Sequence, residues 1–186
     1  MAIAQEALHS MKMKRIGAAI LKIDLKKAYD CIYWGFLKCL LYKIGLNENC
    51  TSWIMACVVD VNYVVLVNSI PSSYFPAARG LRQGCSLSPL LFILVMDTLS
   101  LHVQKAIKEK RCHPLKICRG ISFSHNLFIN DILLSAMLCR DSWICLHVIL
   151  GKFQKVTWLC INVDKSSFHL EDVNVEIVAF LTNLST

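Results

Sequence analysis

Two carboxylates in this 186-residue chain stand where carboxylates are costly. Asp24 closes the apolar run that begins at Gly17, and Asp131 follows Asn130 between the apolar segments Leu127-Phe128-Ile129 and Ile132-Leu133-Leu134. Apolar runs bounded by turn chemistry predict buried strands, and two of them around a short polar tip predict a tight hairpin with Asn130-Asp131 as its tip. Two readings stay open for that tip. Asn and Asp are ordinary turn residues that tolerate left-handed backbone. A carboxylate lifted to the crest between buried strands is also a ligand for a hard cation. Asp24 carries a similar ambiguity, because carboxylates at strand ends also cap the next helix. On neighbouring strands of one antiparallel sheet the two would form a pair suited to phosphoryl transfer with Mg²⁺.

A second stretch, Arg79-Gly80-Leu81-Arg82-Gln83-Gly84-Cys85-Ser86-Leu87-Ser88-Pro89, has the composition of a nucleotide or nucleic-acid contact. Its glycines let backbone approach a ligand, its arginines favour phosphate, and Gln83 offers both a donor and an acceptor. Ser88-Pro89 is a helix start signal, with serine as cap and proline in the first turn, and the helix is expected to run to about Lys110.

The elements that must position these residues read as follows. Residues 5–15 predict a short helix and 17–25 a central strand. Asp30 is expected to cap a helix over Cys31–Tyr42 with Ile32, Phe36, Leu40 and Leu41 on one face, stopped by Gly45 and Asn47. Thr51 or Ser52 would cap a second helix. Asn62–Val67 is β-rich, and Asn68–Ser73 reads as a turn. Leu115–Cys118 and Ile121–Phe123 are short strand candidates before the hairpin. Asp141 is expected to cap a helix from Ser142 to about Trp158 with Ile144, Val148, Phe153 and Val156 on its apolar face. Asn162–Ser167 reads as a polar turn carrying Lys165, and the tail from Phe168 is acidic and strand-like. Helices on one face of an antiparallel sheet make a two-layer α+β domain.

Bulk properties bound the function. A chain of this length fits one domain that buries about 70% of its unfolded surface. With 55% hydrophobic and 18% charged residues it is apolar for such a domain, which predicts faces covered by neighbouring segments of a longer parent. Contiguous apolar runs such as Leu90–Met96 fall well below the ~20 residues that cross a bilayer, and charges crowd the N-terminus. The expectation is neither a membrane span nor a signal peptide, and an intracellular protein of nucleus or cytoplasm. The 10 cysteines sit mostly inside apolar segments, as reduced thiols do, and none has zinc spacing, so no structural metal is assigned. A net charge of +7 gathers in two clusters, Lys12, Lys14, Arg15, Lys22, Lys26 and Lys27, then Lys105, Lys108, Lys110, Arg111, Lys116 and Arg119. Such clusters fit a polyanion or form a solvated basic face.

Taken in order, the segments resemble the palm of reverse transcriptases (RNA-directed DNA polymerases), specifically the plant-type non-LTR, LINE-like retrotransposon kind. Lys22-Ile23-Asp24-Leu25-Lys26-Lys27-Ala28-Tyr29-Asp30 is similar to the first palm motif, and the stretch from Arg79 to Pro89 to the second. Ser124-His125-Asn126-Leu127-Phe128-Ile129-Asn130-Asp131 stands where the family has its aromatic-X-Asp-Asp box, and Cys160-Ile161-Asn162-Val163-Asp164-Lys165-Ser166-Ser167 is similar to the segment after it. The resemblance implies a partial reverse transcriptase domain, the palm, over residues 1–168 and a divergent tail over 169–186, with fingers and thumb largely missing. It implies template-directed nucleotidyl transfer by a two-metal mechanism, with Mg²⁺ or Mn²⁺ as ions and an RNA or DNA template-primer and dNTP as partners. Asp24 would ligate both ions with the Leu25 carbonyl assisting, and Asn130 and Asp131 would occupy the other metal-ligand positions. Tyr29 would be the bulky gate beneath the sugar, Gln83 and Gly84 would line the incoming nucleotide, and Arg82 and Lys165 would approach its phosphates.

The chain departs from the family where Asn130 replaces an aspartate. A neutral amide can still coordinate a hard cation, but it removes one negative charge beside two divalent ions. Cys31 and Tyr33 also replace the polar residues usual after the first motif. The expectation is an impaired polymerase, a pseudoenzyme. Two other readings stay open: a nucleic-acid-binding remnant without chemistry, and a non-functional pseudogene product. Binding to a primer-template that weakens steeply with salt is expected of the remnant, and a fluorescence titration at two salt concentrations checks it. A chain that aggregates and binds nothing leaves the pseudogene product.

Overall fold

The computed structural model describes residues 17–118, 120–128 and 131–171, together with Glu6, His9, Met11 and Met13, which are helical. The expected helix over 5–15 otherwise lies outside the described residues. So do Lys12, Lys14, Arg15, Arg119, Asn130 and residues 172–186.

Strand β1 (Ala18–Lys26) leads into a short helix α1 (Ala28–Cys31), then α2 (Trp34–Lys43) and α3 (Glu48–Val59). Four two-residue strands follow: β2 (Asn62–Tyr63), β3 (Leu66–Val67), β4 (Ile70–Pro71) and β5 (Phe75–Pro76). Helix α4 (Leu87–Lys108) precedes β6 (Leu115–Cys118), β7 (Ile121–Phe123), β8 (His125–Phe128) and β9 (Asp131–Met137). Helix α5 (Arg140–Thr157) and strand β10 (Cys160–Glu171) complete the described chain. The main sheet is antiparallel with strand order β10-β1-β9-β8, which agrees with the expected α+β class.

Side chains alternate across a strand, so the register sorts β1 into two faces. Ala19, Ile23 and Leu25 join Ile132, Leu134 and Ala136 in the main core, beneath α4 (Leu91, Val95, Leu99) and α5 (Leu146, Phe153). Ala18 and Ile20 face the other way, into a smaller cluster with Met11, Leu115, Ile117 and Phe123. The β6–β7 hairpin therefore covers only the end of this second face that carries Ala18. Lys22 and Asp24 share that face by period two and lie beyond the cluster.

Several helix starts differ from the sequence reading. Ile32 and Tyr33 are extended, which ends α1 and starts α2 at Trp34, so Asp30 sits inside α1 rather than capping the longer helix. Asn47, not Thr51 or Ser52, caps α3 by accepting from the Cys50 N–H at 2.9 Å, and Thr51 is fully buried in the next turn. Helix α4 starts at Leu87 after Ser86, and Ser88 instead donates its hydroxyl to the Arg82 carbonyl at 2.6 Å. Helix α5 starts after Cys139, with Asp141 in its first turn. It buries Trp143, Leu146, Ile149, Leu150 and Phe153, while Ile144, Val148 and Val156 are exposed. The buried residues recur at helical spacing on one stripe, with Arg140, His147, Lys152 and Lys155 on the other side, and the expected stripe was rotated away from it through Ile144 and Val148. Within the predicted turn, Asn68 and Ser69 take left-handed backbone (φ 49 and 66) and close a two-residue hairpin between β3 and β4.

Helix α4 is long and apolar enough to cross a membrane by length and composition, although its contiguous apolar runs are short. Asp97 interrupts the pattern in sequence without interrupting the helix. A core helix passes the same test, and Leu91, Phe92, Val95, Met96, Leu99, Val103 and Ala106 of α4 are buried in the core.

His125 faces this helix. Its Nε2 lies 2.8 Å from the Ser100 hydroxyl and its Nδ1 2.9 Å from the Ser124 hydroxyl. Burial pushes its pKa below the usual 6.5, against a smaller opposing pull from Asp97. The neutral ring is thus the one the fold holds, and the unfolded chain takes up the proton first as pH falls. Stability should be full above 6.5 and decline as pH drops from 6.5 towards the depressed folded value. Urea unfolding across pH 5–7 checks this, and His125→Gln should flatten that part of the profile.

Candidate active site

Residues 24 and 131 are direct cross-strand partners, Asp24 on β1 opposite Asp131 on β9. Directly opposed residues share a face with Cβ atoms ~4.5–5.5 Å apart, so the two carboxylates are neighbours although distant in sequence. Like charges so placed repel, and two other side chains offset them. The Lys22 Nζ lies 3.5 Å from Asp131 Oδ2, reaching diagonally across the strands, and the Asn162 amide donates to Asp24 Oδ2 at 3.2 Å. Both lie in the motifs singled out in the sequence, but neither was assigned a role at the carboxylates. Lys22 carries a recognisable signal, because it lies two residues before Asp24 and so must share its face.

The segment Asn162–Ser167 is not a turn. It is part of β10, where the register slips by three residues: Lys22 pairs with Ser167, but Asp24 pairs with Asn162. The slip makes a bulge tied by Ser166, whose hydroxyl donates to the Asn162 carbonyl at 2.7 Å and accepts from the Asp24 N–H at 3.2 Å. Polar residues in an otherwise apolar strand are what this bulge needs, which is why they read as a turn. Lys165 lies exposed in the bulge, and Leu25 is buried opposite Ile161. Strand β10 continues past Phe168 to Glu171, so its pairing crosses the expected start of the tail.

The glycine-arginine loop is fastened to the residues just after β1. The Leu81 N–H donates to the Tyr29 carbonyl at 2.7 Å and the Gly80 N–H to the Ile32 carbonyl at 2.8 Å. Trp34 Nε1 donates to the Gly80 carbonyl at 2.7 Å. Tyr29 stacks on Phe92 of α4 with ring centroids 4.8 Å apart. Gln83 donates to Asp30 Oδ1 at 3.1 Å, so Asp30 belongs to the rim of this loop. Arg79, Arg82 and Gln83 line an open groove of about 920 Å³ with Asp30, Asp60, Tyr63 and Phe75. Asp24 and Asp131 are not among its lining residues, so the groove and the carboxylate pair are separate features.

Among the described residues no three His, Cys, Asp or Glu side chains gather as a metal site. What the described chain offers a cation is the Asp24–Asp131 pair, and Asn130 lies outside the described residues. The second basic cluster is less free than its sequence implies. Arg111 donates to Glu109 Oε2 at 2.8 Å, and Lys105 lies 3.9 Å from Glu109 Oε1. The Arg111 hydrogen bond holds the Glu109 carboxyl below its usual range.

A four-stranded antiparallel sheet with helices beneath it is a palm-like α+β arrangement. Solved structures agree. The chain matches telomerase from Candida albicans, solved in complex with a TWJ fragment of telomeric RNA, with a TM-score of 0.67 and 16% identity, over 93% of this chain and 30% of that one. Candida tropicalis telomerase truncated from its C-terminal domain matches with a TM-score of 0.64 and 15% identity, over 94% of this chain and 36% of that one. The family model "Reverse transcriptase (RNA-dependent DNA polymerase)" matches residues 2–181, and the chain belongs to that family. The Pol polyprotein of the type-1 retrotransposable element R2 from Popillia japonica is 24% identical over 171 residues, which are 86% of this chain and 22% of that protein. An uncharacterized mitochondrial protein of Arabidopsis thaliana is 34% identical over 67 residues, 36% of this chain and 55% of that one. These relatives place the chain with the non-LTR retrotransposon reverse transcriptases, as its motifs suggested. It spans about a fifth of the R2 polyproteins it matches.

Gly80 shows how tightly the loop is held. Its φ is +88°, and a Cβ there would meet the Asp30 carbonyl oxygen at 2.6 Å. Gly80→Ala should therefore destabilise by more than ~1 kcal/mol, through both the left-handed backbone and the clash. Chemical denaturation beside Gly84→Ala, where φ is +81° but nothing lies within 4 Å, separates the two effects.

Proposed function

We propose that this chain is the palm of an RNA-directed DNA polymerase whose catalytic centre is impaired at Asn130. The Asp24–Asp131 cross-strand pair carries the reading, since it sets two part-exposed carboxylates side by side on one sheet face, an arrangement that suits a divalent ion. In this reading the palm runs through the end of β10 at Glu171 rather than stopping at residue 168.

Each side chain then has a task. Asp24 and Asp131 would hold Mg²⁺ or Mn²⁺, with the Leu25 carbonyl assisting, and Asn162 positions Asp24 through its amide. Tyr29, stacked on Phe92, presents a rigid edge that excludes a ribose 2′-hydroxyl by contact. Gln83 and Gly84 line the incoming dNTP, while Arg82 and Lys165 approach its phosphates. The groove beside Arg79 and Arg82 continues from that loop towards Tyr63 and Phe75, where template-primer would pass. When bound, the two ions activate the attacking hydroxyl and neutralise charge on the transferred phosphoryl group.

Asn130 weakens this centre because an amide offers a neutral oxygen where two divalent ions need negative charge. A loss of ~3–5 kcal/mol in transition-state stabilisation slows the reaction ~10²–10⁴-fold. A binding-only role draws less support, since Glu109 already engages Lys105 and Arg111 of the second basic cluster. The test is primer extension with Mg²⁺ or Mn²⁺, using this chain and its Asn130→Asp variant, each grafted into intact fingers and thumb. The variant should be faster by ~10²–10⁴-fold. Equal rates in the two grafts would sink the impairment.

A further inference from the structure

Lys22 occupies a particular place in the carboxylate pair. The register sets it opposite Leu133 and one pleat away from the Asp24–Asp131 pairing, on the same face, so its chain spans the diagonal to Asp131. The ammonium lies 3.5 Å from Asp131 Oδ2 with both side chains about two-fifths exposed, at 42% and 44%. Asp24 is engaged separately by the Asn162 amide, at 3.2 Å. Each carboxylate therefore has an internal partner, and only one of those partners carries charge.

We propose that Lys22 is the resident counter-cation of the carboxylate pair, which a divalent ion must displace in order to bind; this rests on the palm reading of that pair. A lysine ammonium is a compact point charge on a flexible stem with no demand for bidentate geometry, so it can leave by rotation of its own side chain. It offsets one negative charge of the pair in the absence of metal and relieves the repulsion between opposed strands. A divalent ion brings more charge and several coordination bonds, and wins when its concentration suffices. Because the ion pair is half in water, its loss is a modest cost to the incoming ion rather than a large barrier. The lysine thus lowers metal affinity modestly and eases the repulsion between the two carboxylates when no ion is bound.

The test is Mn²⁺ binding to the full chain, read by electron paramagnetic resonance of free Mn²⁺, with thermal unfolding in EDTA alongside. Lys22→Gln should bind Mn²⁺ about two- to fivefold tighter than the parent chain, the size expected for an exposed ion pair. Lys22→Arg, which keeps the cation, should bind as the parent does, and Asp24→Asn should lose the site. In EDTA, Lys22→Gln should lower the melting temperature of the parent but not of Asp131→Asn. Mn²⁺ binding that depends on Asp24 but is equal in the parent and Lys22→Gln would overturn the displacement while leaving the metal site standing. Binding that ignores Asp24 in every variant would overturn the metal site and this inference with it. Equal melting of the parent and Lys22→Gln in EDTA would overturn the counter-cation role.

Discussion

Strand β1 is paired on both sides, with β9 along one edge and β10 along the other, and the rest of the structure depends on the register of those two ladders. Its apolar residues divide between two faces with no slack, Ala19, Ile23 and Leu25 into the main core and Ala18 and Ile20 into the smaller cluster. A slip of one residue on β1 would exchange the faces, placing Asp24 against the helices and Ile23 in the open. Burial of a charge on one side and exposure of an apolar chain on the other make such a slip costly. The position of the carboxylates is therefore a by-product of core packing.

The second face of the sheet is where packing gives way to chemistry. The β6–β7 hairpin, with Met11, covers the end near Ala18 and Ile20 and stops there. The uncovered end carries Lys22, Asp24, Asp131 and Asn162. Ion pair, amide hydrogen bond and Ser166 bulge all satisfy groups that the sheet has brought together. The glycine-arginine loop is built differently, clasped to residues 29–34 by backbone bonds and the Trp34 indole, with Tyr29 locked against Phe92 beneath it. Backbone fastening leaves the side chains of Arg82 and Gln83 outward, where they are exposed.

Much of this was legible in the residues. The unbroken apolar run through β1 and the short pair Leu115–Cys118 and Ile121–Phe123 formed where local pattern placed them, whereas Asp131, expected at the hairpin tip, is the first residue of β9 and pairs with Phe128. Helix starts were less legible, because α2, α4 and α5 begin without a side-chain cap, after Tyr33, Ser86 and Cys139, and among α1 to α5 only α3 has one, from Asn47. Asn47 caps α3, and Thr51 falls one turn later with its side chain fully buried. In helix α5 the buried stripe Trp143, Leu146, Ile149, Leu150 and Phe153 follows helical spacing, but the exposed apolar residues Ile144 and Val148 offered a second, rotated alignment. The polar run before Ser167 gave the right irregularity under the wrong name, a bulge inside a strand.

By itself the sequence determined the order of the four motifs, the residue types at the site, the neutral amide at position 130 and the family those features share, since each is a local or ordered property of the chain. Only the tertiary structure decided that Asp24 stands opposite Asp131, that Lys22 and Asn162 are their partners, and that the groove beside Arg82 is distinct from the carboxylate pair. The physical reason is register. Pairing between strands far apart in sequence is set by which faces can be buried together, and no window of local pattern contains both sides of that choice.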